Sequence, residues 1–501
     1  MSSTSERLAA PPRVDRRWMA LLFISLAQLM IALDATVMNI ALPSAQADLA
    51  FSDADRQWVI TAYTLAFGGL LLLGGRVADL AGRKRAFLVG LIGFAGASAF
   101  GGAATNIAVL TAARALQGAF AALLAPTVLA LLAVTFTAPR DRAKAFAIFG
   151  AIAGGGGAVG LVLGGVLAAV SWRWCLYVNV PVAVVTAVGA QLYLGGVRPA
   201  GRTRLDIPGA LLATGGLVAV VYACAQAAPH GWSSARVIGP LVGGALLLAL
   251  FVLVETRVAN PLLPLRIVRD RDRAGAYLAV GFGVAGMLGM FLFLTYYLQV
   301  VRGYQPVRAG LAFLPLSGAV LLGAQVVSGR LLPVVRPRVL VVPGLLAAGL
   351  AMLLLTTLDS RSGYATRVLP AEIVLGLGLG CIFVPAMNVA TQRVDPRDGG
   401  VAAAVVNTSQ QIGGSLGVAL LNTAAATATA GYLHAHGGGR QVHTDALIHG
   451  YAVAAGWAAA ILLTGALLAA VLITAPAPEA RGRQAVGSEA HGRNTDLSNG
   501  G

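Results

Sequence analysis

Two charged residues lie inside apolar segments of the sequence, where ionisable side chains are rare. Asp34 belongs to the run from Trp18 to Pro43, and Arg114 belongs to the run from Thr111 to Leu132. A charge at bilayer depth is unfavourable by about 2.5 to 3.5 kcal/mol on insertion scales, and such charges pair with one another or face a water-filled cavity. Two interpretations stay open: a static structural ion pair, or a site where Asp34 gains and loses a proton while Arg114 tunes its proton affinity.

Helix geometry predicts that these two charges meet. A first helix that begins near Trp18 carries Asp34 roughly 24 Å along its axis. The helix that contains Arg114 begins near Ile107 and runs in the opposite direction, so that Arg114 lies at nearly the same depth. Gln117 is three residues beyond Arg114 and shares its helix face. Asp34 and Arg114 are therefore predicted to lie at one depth in the outer half of the membrane, where they pair or face a water-filled cavity.

The composition is typical of a helical protein that crosses a membrane many times. Of the 501 residues 57% are hydrophobic and only 11% are charged, and the mean hydropathy is +0.78. A soluble domain is about one quarter charged, and apolar runs of about 18 or more residues are typical of transmembrane helices. Period-2 alternation is absent, which argues against strands. The cysteines, Cys175, Cys224 and Cys381, lie far apart in sequence, so neither a disulfide framework nor a metal site is indicated.

The apolar runs predict fourteen membrane-spanning helices. Most of the 36 Lys and Arg residues fall in the N-terminal tail, the alternate loops and the C-terminal tail, and this bias places both termini in the cytoplasm. The net charge of +16 therefore reflects membrane orientation and not nucleic-acid binding. The first apolar run is too long for a signal peptide and is interpreted as the first span. The predicted spans are 18–42, 57–75, 86–104, 107–135, 143–170, 175–196, 207–227, 236–256, 275–300, 308–332, 339–358, 367–391, 401–425 and 451–474.

The loop between the second and third spans carries a motif of glycines, an acid and basic residues. It reads GGRVADLAGRKR, from Gly74 to Arg85. Its glycines permit a tight turn and close helix approach, and its acid can pair with the basic run across the helix ends. The candidate residues of this motif are Gly75, Asp79, Gly82, Arg83 and Lys84.

The fifth span, FGAIAGGGGAVGLVLGGVL from Phe149 to Leu167, is unusually rich in glycine. A phosphate-binding loop is excluded because no Gly-Lys-Ser or Gly-Lys-Thr follows and no strand precedes. Small residues let membrane helices approach closely, slide or bend, so the span is either a packing surface or a helix that flexes in a conformational cycle. Its candidate residues are Gly150, Gly154, Gly160, Gly164 and Gly165.

In these motifs the chain resembles the major facilitator superfamily, and more narrowly its fourteen-span drug:proton antiporters. LDATVMNIALP (Leu33 to Pro43) matches their first-helix signature, RALQGAFAA (Arg114 to Ala122) the fourth-helix motif associated with proton coupling, and GAIAGGGGAVGLVLGG (Gly150 to Gly165) the antiporter motif of helix five. GGRVADLAGRKR matches the cytoplasmic-loop motif of the superfamily. SWRWCLYVNVPVA (Ser171 to Ala183) and VNTSQQIGGSLGVAL (Val406 to Leu420) resemble the loop into helix six and the thirteenth helix.

Two positions depart from the family pattern. The loop motif usually has Arg directly after its Asp, and here Leu80 follows Asp79. The antiporter motif usually has Pro after its later Gly, and here Leu161 follows Gly160. These departures leave room for a proton-coupled symporter that takes up a small metabolite, as the alternative to export.

The resemblance implies an all-α polytopic membrane protein of two six-helix bundles plus two extra transmembrane helices, with one bundle rocking against the other. It implies proton-coupled efflux of lipophilic drugs, cationic ones among them, or of secreted antibiotics, with Asp34, Arg114 and Gln117 as the proton-coupling residues. The chain is then a monomeric secondary transporter of the cytoplasmic membrane and not an enzyme, with no cofactor and the proton gradient as its energy source. The implied parts are a cytoplasmic tail (1–17), an N-terminal bundle (18–196), two extra helices (207–256), a C-terminal bundle (275–474) and a disordered cytoplasmic tail (475–501).

Polar and aromatic residues of the spans are the candidates for contact with a lipophilic substrate, because such sites are apolar with a few polar groups. Glu372 is a candidate for substrate binding or coupling, or a carboxyl group at a cavity rim. Asp206 and Glu255, at the membrane edge, are expected to meet loop arginines. Segment 431–450 is the longest predicted outer loop, and its histidines are interpreted as solvated and not as a metal site. The other substrate-binding candidates are Gln28, Trp58, Tyr63, Tyr296, Tyr297, Asn407 and Gln411.

Overall fold

The structure is a computed structural model that describes residues 16–52, 55–136, 138–195, 206–258, 261–263, 265–332, 334–391, 399–437 and 439–476. These residues form α-helices joined by turns and short π-helical segments, and no strand is found among them. Both predicted tails lie almost wholly outside the described residues.

The helices follow one another along the chain with short connections. The first nine are α1 (Arg16–Leu49), α2 (Arg56–Ala81), α3 (Arg83–Gly102), α4 (Ile107–Thr135), α5 (Pro139–Val170), α6 (Trp174–Tyr177), α7 (Asn179–Tyr193), α8 (Ile207–His230) and α9 (Ala235–Glu255). They are followed by α10 (Leu265–Arg269), α11 (Arg271–Tyr296), α12 (Pro306–Ala312), α13 (Leu314–Leu322), α14 (Gly329–Leu331), α15 (Arg338–Leu355), α16 (Leu369–Thr391), α17 (Gly399–His436) and α18 (Arg440–Leu472). The π-helical segments are Tyr297–Val301, Gly323–Ser328 and Tyr364–Val368.

Twelve stretches of helix within the described residues are long and apolar enough to cross a membrane. They correspond to all the predicted spans except the second and the fifth. At those two places α2 and α5 are continuous helices of 26 and 32 residues, and some of their side chains lie outside the described structure. The class of all-α polytopic membrane protein is confirmed, and the count of fourteen spans stays a prediction.

Polar side chains and one glycine set several helix boundaries. The side chain of Asn106 accepts a hydrogen bond from Val109 N at 3.0 Å and caps α4. Asp206 and Asp270 cap α8 and α11 in the same way. Gly82 separates α2 from α3 with a φ of +90°, a conformation that residues with a Cβ atom disfavour. The tight turn predicted in the loop motif is found at Gly82.

The helices pack in two groups with a hairpin between them. α1 to α7 contact one another, and α11 to α18 form the second group. α8 and α9 pack side by side, and α8 also contacts α2 and α17, one helix from each group. Large apolar side chains of α9, among them Val242, Leu246 and Leu250, are exposed, as expected of a helix that faces lipid.

Glycines allow α5 to contact both helix groups closely. Gly160 and Gly164 face α1, where a Cβ atom placed on Gly164 would lie 2.9 Å from a Cα atom. A Cβ atom on Gly165 would lie 2.8 Å from a carbonyl oxygen of α12. From the other side, a Cβ atom on Gly310 of α12 would lie 2.3 Å from the carbonyl oxygen of Leu161. Backbone therefore meets backbone where α5 joins the two groups, which supports the packing interpretation of these glycines.

The predicted outer loop over residues 431–450 is wrong. α17 continues to His436 and α18 begins at Arg440, so most of this segment is helical. The rings of Tyr432 and His436 stack with their centroids 4.0 Å apart, and side-chain pairs four residues apart stabilise a helix. The polar composition that suggested a loop belongs to two solvent-exposed helix ends.

Replacement of Gly310 by Ala is expected to push α12 away from α5, because the new Cβ atom meets the carbonyl oxygen of Leu161. We expect a loss of about 1–3 kcal/mol of stability, measured by thermal unfolding of the purified protein in detergent. Gly318→Ala, on α13, is the matched control, because nothing lies within 4 Å of a Cβ atom at that position. Equal stability of the two variants would contradict the close contact.

Candidate functional site

Asp34 of α1 lies in a buried cluster of charged and amide side chains. Its Oδ2 accepts a hydrogen bond from Arg114 Nη1 at 2.6 Å, and the two side chains are 1% and 2% exposed. Its Oδ1 accepts from Gln117 Nε2 and from Asn179 Nδ2, each at 2.9 Å. The carboxylate is thus engaged by three donors. Asp34 and Arg114 thus lie together as a pair, which is one of the two predicted arrangements, and Gln117 joins them; their role in proton coupling stays a prediction.

The guanidinium group of Arg114 has partners besides Asp34. Its Nε donates to the carbonyl oxygen of Val59 at 3.1 Å, and its Nη1 also donates to Gln117 Oε1 at 3.0 Å. Its central carbon lies 4.4 Å from the ring centre of Tyr63, a cation–π contact. Tyr63, a predicted substrate contact, therefore packs its ring against the Arg114 side of the ion pair.

Sequence reasoning missed three residues that complete this cluster. Asn179 begins α7, and Ser98 of α3 accepts a hydrogen bond from Gln117 Nε2 at 2.8 Å. Gly118 lets α4 approach α2, because a Cβ atom there would lie 2.3 Å from the carbonyl oxygen of Tyr63. Asn179 could have been found from the sequence, because it is the lone polar residue in the apolar run YVNVP, from Tyr177 to Pro181.

The cluster can hold one charge pair without water, because every side-chain oxygen of Asp34 has a donor. A proton on Asp34 removes the charge that Arg114 balances, and an uncompensated buried charge costs about 3–5 kcal/mol. Protonation is therefore expected to shift the surrounding helices.

The loop motif holds the start of α3 against the end of α7, within the first helix group. Lys84 Nζ donates to two carbonyl oxygens at that end, at 2.8 and 2.9 Å. Gly75 faces the ring of Pro126 on α4, and Arg83 begins α3. Three predicted positions lie in helices whose backbone the structure describes, but their side-chain surroundings lie outside the described part. They are Asp79 of α2, and Gly150 and Gly154 of α5.

A second buried cation, Arg56, joins the two helix groups where α1 ends and α2 begins. Its Nε donates to Asn422 Oδ1 of α17 at 3.0 Å. Its central carbon lies 4.4 Å from the ring centre of Tyr296 and 5.8 Å from that of Tyr451. Tyr296 also donates its hydroxyl to Gln46 Oε1 of α1. We call these five residues the outer contact. Tyr296, a predicted substrate residue, lies within it.

The remaining substrate candidates are dispersed over both helix groups. Tyr297 donates its hydroxyl to a loop carbonyl oxygen at 2.9 Å within the second group. Gln411 of α17 lies in the tight packing against α2 and α8, next to Gly68. Gln28, Trp58 and Asn407 are half-buried on α1, α2 and α17. Their contact with a substrate stays a prediction.

Glu372 of α16 lies in the second helix group and is 0% exposed. The hydroxyl oxygen of Tyr364 lies 3.1 Å from Glu372 Oε2 and 2.6 Å from the carbonyl oxygen of Ala312, where α12 ends. Glu372 Oε1 has no hydrogen-bond partner within the described part of the chain. Glu372 is thus separate from the Asp34 cluster and next to the helix that contacts α5.

The expectation that Asp206 and Glu255 meet loop arginines stays a prediction, because the loop arginines of 196–205 lie outside the described residues. Asp206 Oδ1 accepts a hydrogen bond from Gly209 N, and Glu255 Oε2 accepts one from Leu263 N, each at 2.9 Å. Their other carboxyl oxygens both lie next to Gly209, because the α8–α9 hairpin brings the start of α8 beside the end of α9.

The chain belongs to the major facilitator superfamily, because the sequence model of the Major Facilitator Superfamily matches residues 24–418. It is therefore a transporter and not an enzyme. A solved structure of a bacterial homolog to the human lysosomal transporter Spinster, in an inward-facing and occupied conformation, matches the fold with a TM-score of 0.67. The two share 17% sequence identity, and the match covers 93% of this chain and 97% of that one.

Two relatives are antibiotic resistance or export proteins. The chain is 55% identical over 461 residues to the puromycin resistance protein pur8 of Streptomyces alboniger, covering 91% of this chain and 92% of that protein. It is 40% identical over 416 residues to the cephamycin export protein CmcT of Amycolatopsis lactamdurans, covering 82% of this chain and 86% of that protein.

The buried pair gives a stability prediction that a double-mutant cycle can check. Arg114→Gln leaves the Asp34 carboxylate without its counter-charge and is expected to cost about 3–5 kcal/mol of stability. Adding Asp34→Asn to Arg114→Gln removes that uncompensated charge and is expected to recover part of the loss. Thermal unfolding of the native protein, both single variants and the double variant measures the coupling. Additive losses would contradict a direct charge pair.

Proposed function

We propose that the protein exports an antibiotic or a related lipophilic compound in exchange for protons, with Asp34 as the group that carries the proton. The observation that carries this proposal is the burial of Asp34 and Arg114 as a hydrogen-bonded pair in a chain of this superfamily. The antibiotic resistance and export relatives support the direction of transport and the class of substrate.

In the proposed cycle Arg114, Gln117 and Asn179 hold the carboxylate of Asp34 by hydrogen bonds before the proton arrives. A proton from the side of higher acidity binds Asp34 when these donors move apart. Arg114 then keeps the carbonyl oxygen of Val59 and the ring of Tyr63 as its remaining partners.

α1 links this cluster to the contacts between the helix groups. The carbonyl oxygen of Ile40 lies roughly 9 Å along α1 from Asp34 and accepts a hydrogen bond from Gln299 Nε2 at 3.0 Å. Gln46, further along α1, accepts from Tyr296 in the outer contact. A shift of α1 that follows protonation therefore acts on two hydrogen bonds between the groups. Rocking of the groups as two bundles would then expose the substrate site to the other side.

The orientation belongs to the same proposal. The Lys and Arg distribution supports cytoplasmic termini, with the α2–α3 loop on the cytoplasmic side and the outer contact on the opposite side. We further propose that the chain works as a monomer, with a small lipophilic substrate, protons and the bilayer as its partners. Puromycin is the first compound to test, because the relative with 55% identity is named for resistance to it.

Expression of the native protein in a puromycin-sensitive bacterium is expected to lower the steady-state amount of labelled puromycin in the cells, and a protonophore is expected to abolish this effect. Cells that express Asp34→Asn should accumulate as much labelled puromycin as cells without the protein. Asp48→Asn is the matched control, because Asp48 lies on the same helix but pairs with Arg173 at 3.0 Å and is 50% exposed. Higher accumulation with the native protein than without it would support uptake by symport instead of export.

A further inference from the structure

Glu372 is a buried acid of the second helix group that the proposed cycle does not use. It lies in the first turn of α16 and is 0% exposed. Gly376, one turn further on the same face, packs closely on α13, since a Cβ atom there would lie 2.5 Å from the carbonyl oxygen of Leu316. Glu372 Oε2 lies 3.1 Å from the hydroxyl oxygen of Tyr364, and Oε1 has no hydrogen-bond partner within the described residues.

The hydroxyl group of Tyr364 lies between two oxygen atoms but carries a single hydrogen. Its oxygen lies 2.6 Å from the carbonyl oxygen of Ala312 and 3.1 Å from Glu372 Oε2. A carbonyl oxygen can only accept, and hydrogen bonds from a hydroxyl group to an oxygen are about 2.5 to 3.0 Å long. The hydroxyl hydrogen therefore points to Ala312, and the oxygen of Tyr364 faces Glu372 as an acceptor.

The hydrogen between Tyr364 and Glu372 must then come from the carboxyl group. An ionised carboxylate has only acceptor oxygens, and two acceptors in contact without a hydrogen repel each other. A protonated Glu372 donates to the oxygen of Tyr364 and completes a chain of hydrogen bonds that ends at Ala312. Protonation also leaves Oε1 as a neutral oxygen, and an unpaired neutral oxygen costs less in a buried site than an unpaired charge.

We propose that Glu372 binds a proton and that this proton controls the contact of Tyr364 with the end of α12. With the proton bound, Glu372 donates to Tyr364, and Tyr364 donates to the carbonyl oxygen of Ala312. When the proton leaves Glu372 Oε2 for water, the hydroxyl group of Tyr364 turns to donate to the carboxylate, and the carbonyl oxygen of Ala312 loses this donor. The binding of the proton is independent of the proposed function, and only its use in the exchange of substrate for protons rests on that function.

The end of α12 carries this change to the contact between the two helix groups. Ala312 is the last residue of α12, and Pro315 has no N–H group with which to continue the helix into α13. Gly310, two residues before Ala312, is the position where α12 meets the carbonyl oxygen of Leu161 on α5. A proton on Glu372 therefore acts on the contact with α5, whereas the Asp34 cluster acts through α1.

The arginines closest in sequence to the start of α16 donate to other groups. Arg367 donates to Thr357 Oγ1 and Arg302 donates to the carbonyl oxygen of Ser360, each at 3.1 Å, and neither donates to Glu372 in the described structure. Segment 323–328 and α13, which also pack on α16, carry no ionisable side chain. The other ionisable residues of α16, of the helices that pack on it and of α12 are Arg271, Asp272, Arg273, Tyr277, Tyr296, Arg308, Arg338, Cys381, Tyr432, His434 and His436.

Infrared difference spectra at about pH 7 test the proton on Glu372, because an exposed glutamate is ionised at that pH. The difference between the native protein and Glu372→Gln should contain the carbonyl band of a protonated carboxylic acid. Tyr364→Phe should keep this band and shift it to higher wavenumber, because the acid loses its hydrogen-bond acceptor. Asp359→Asn is the matched control and should remove no such band: Asp359 is exposed, and a hydrogen bond from Ser362 Oγ holds the pKa of its carboxyl group below the usual range.

The spectra are recorded without substrate or a pH gradient, so their result is independent of whether the protein exports puromycin. An unchanged acid band in Glu372→Gln, or an unshifted band in Tyr364→Phe, would overturn the inference. If Glu372→Gln does not fold, the difference between the native protein and Tyr364→Phe decides alone. In the puromycin assay, cells that express Glu372→Gln should accumulate more than cells with the native protein, because the amide cannot release a proton. Equal accumulation would overturn the use of this proton in the exchange.

Discussion

The charge pair of Asp34 and Arg114 constrains the packing of the first helix group. Neither charge is stable in an apolar interior unless its hydrogen bonds are complete and the partner charge is in place. The required donors and acceptors come from α1, α2, α3, α4 and α7, so these five helices must meet at one depth. A change in the protonation of one carboxyl group therefore acts on the relative position of five helices.

The contacts between the two groups differ from those inside the first group. Where α5 meets α12, glycines bring backbone against backbone. Along α2 and α17 the groups are joined by separate polar contacts, such as the 2.6 Å hydrogen bond between Thr64 and Ser415 and the outer contact around Arg56. Separate hydrogen bonds of this kind each contribute about 1 kcal/mol. The proposed rocking of the two groups needs contacts between them that can be exchanged one by one, while the charged cluster stays within one group.

The sequence predicted the cluster because depth along a helix is simple arithmetic. Asp34 and Arg114 lie at matching depths in antiparallel helices, and Gln117 follows from helical periodicity. Asn179 and Ser98 could not be assigned in this way, because their contacts depend on the rotation and register of α7 and α3 against the other helices.

The wrong expectation of a long outer loop arose from composition. The polar segment 431–450 suggested a loop, but its residues continue α17 and α18. The predicted substrate residues lie in both helix groups, and their contact with a substrate stays a prediction.

The most direct test of the central claim is proton movement that depends on the substrate. Purified protein is reconstituted into vesicles with an acidic lumen, in the inverted orientation, and puromycin is added outside while the lumenal pH is followed. If Asp34 carries the exchanged proton, the native protein and Asp48→Asn release lumenal protons when the substrate is added, and Asp34→Asn still binds the substrate but releases none. Equal proton release by Asp34→Asn and the native protein would contradict the account and leave the buried pair a structural element.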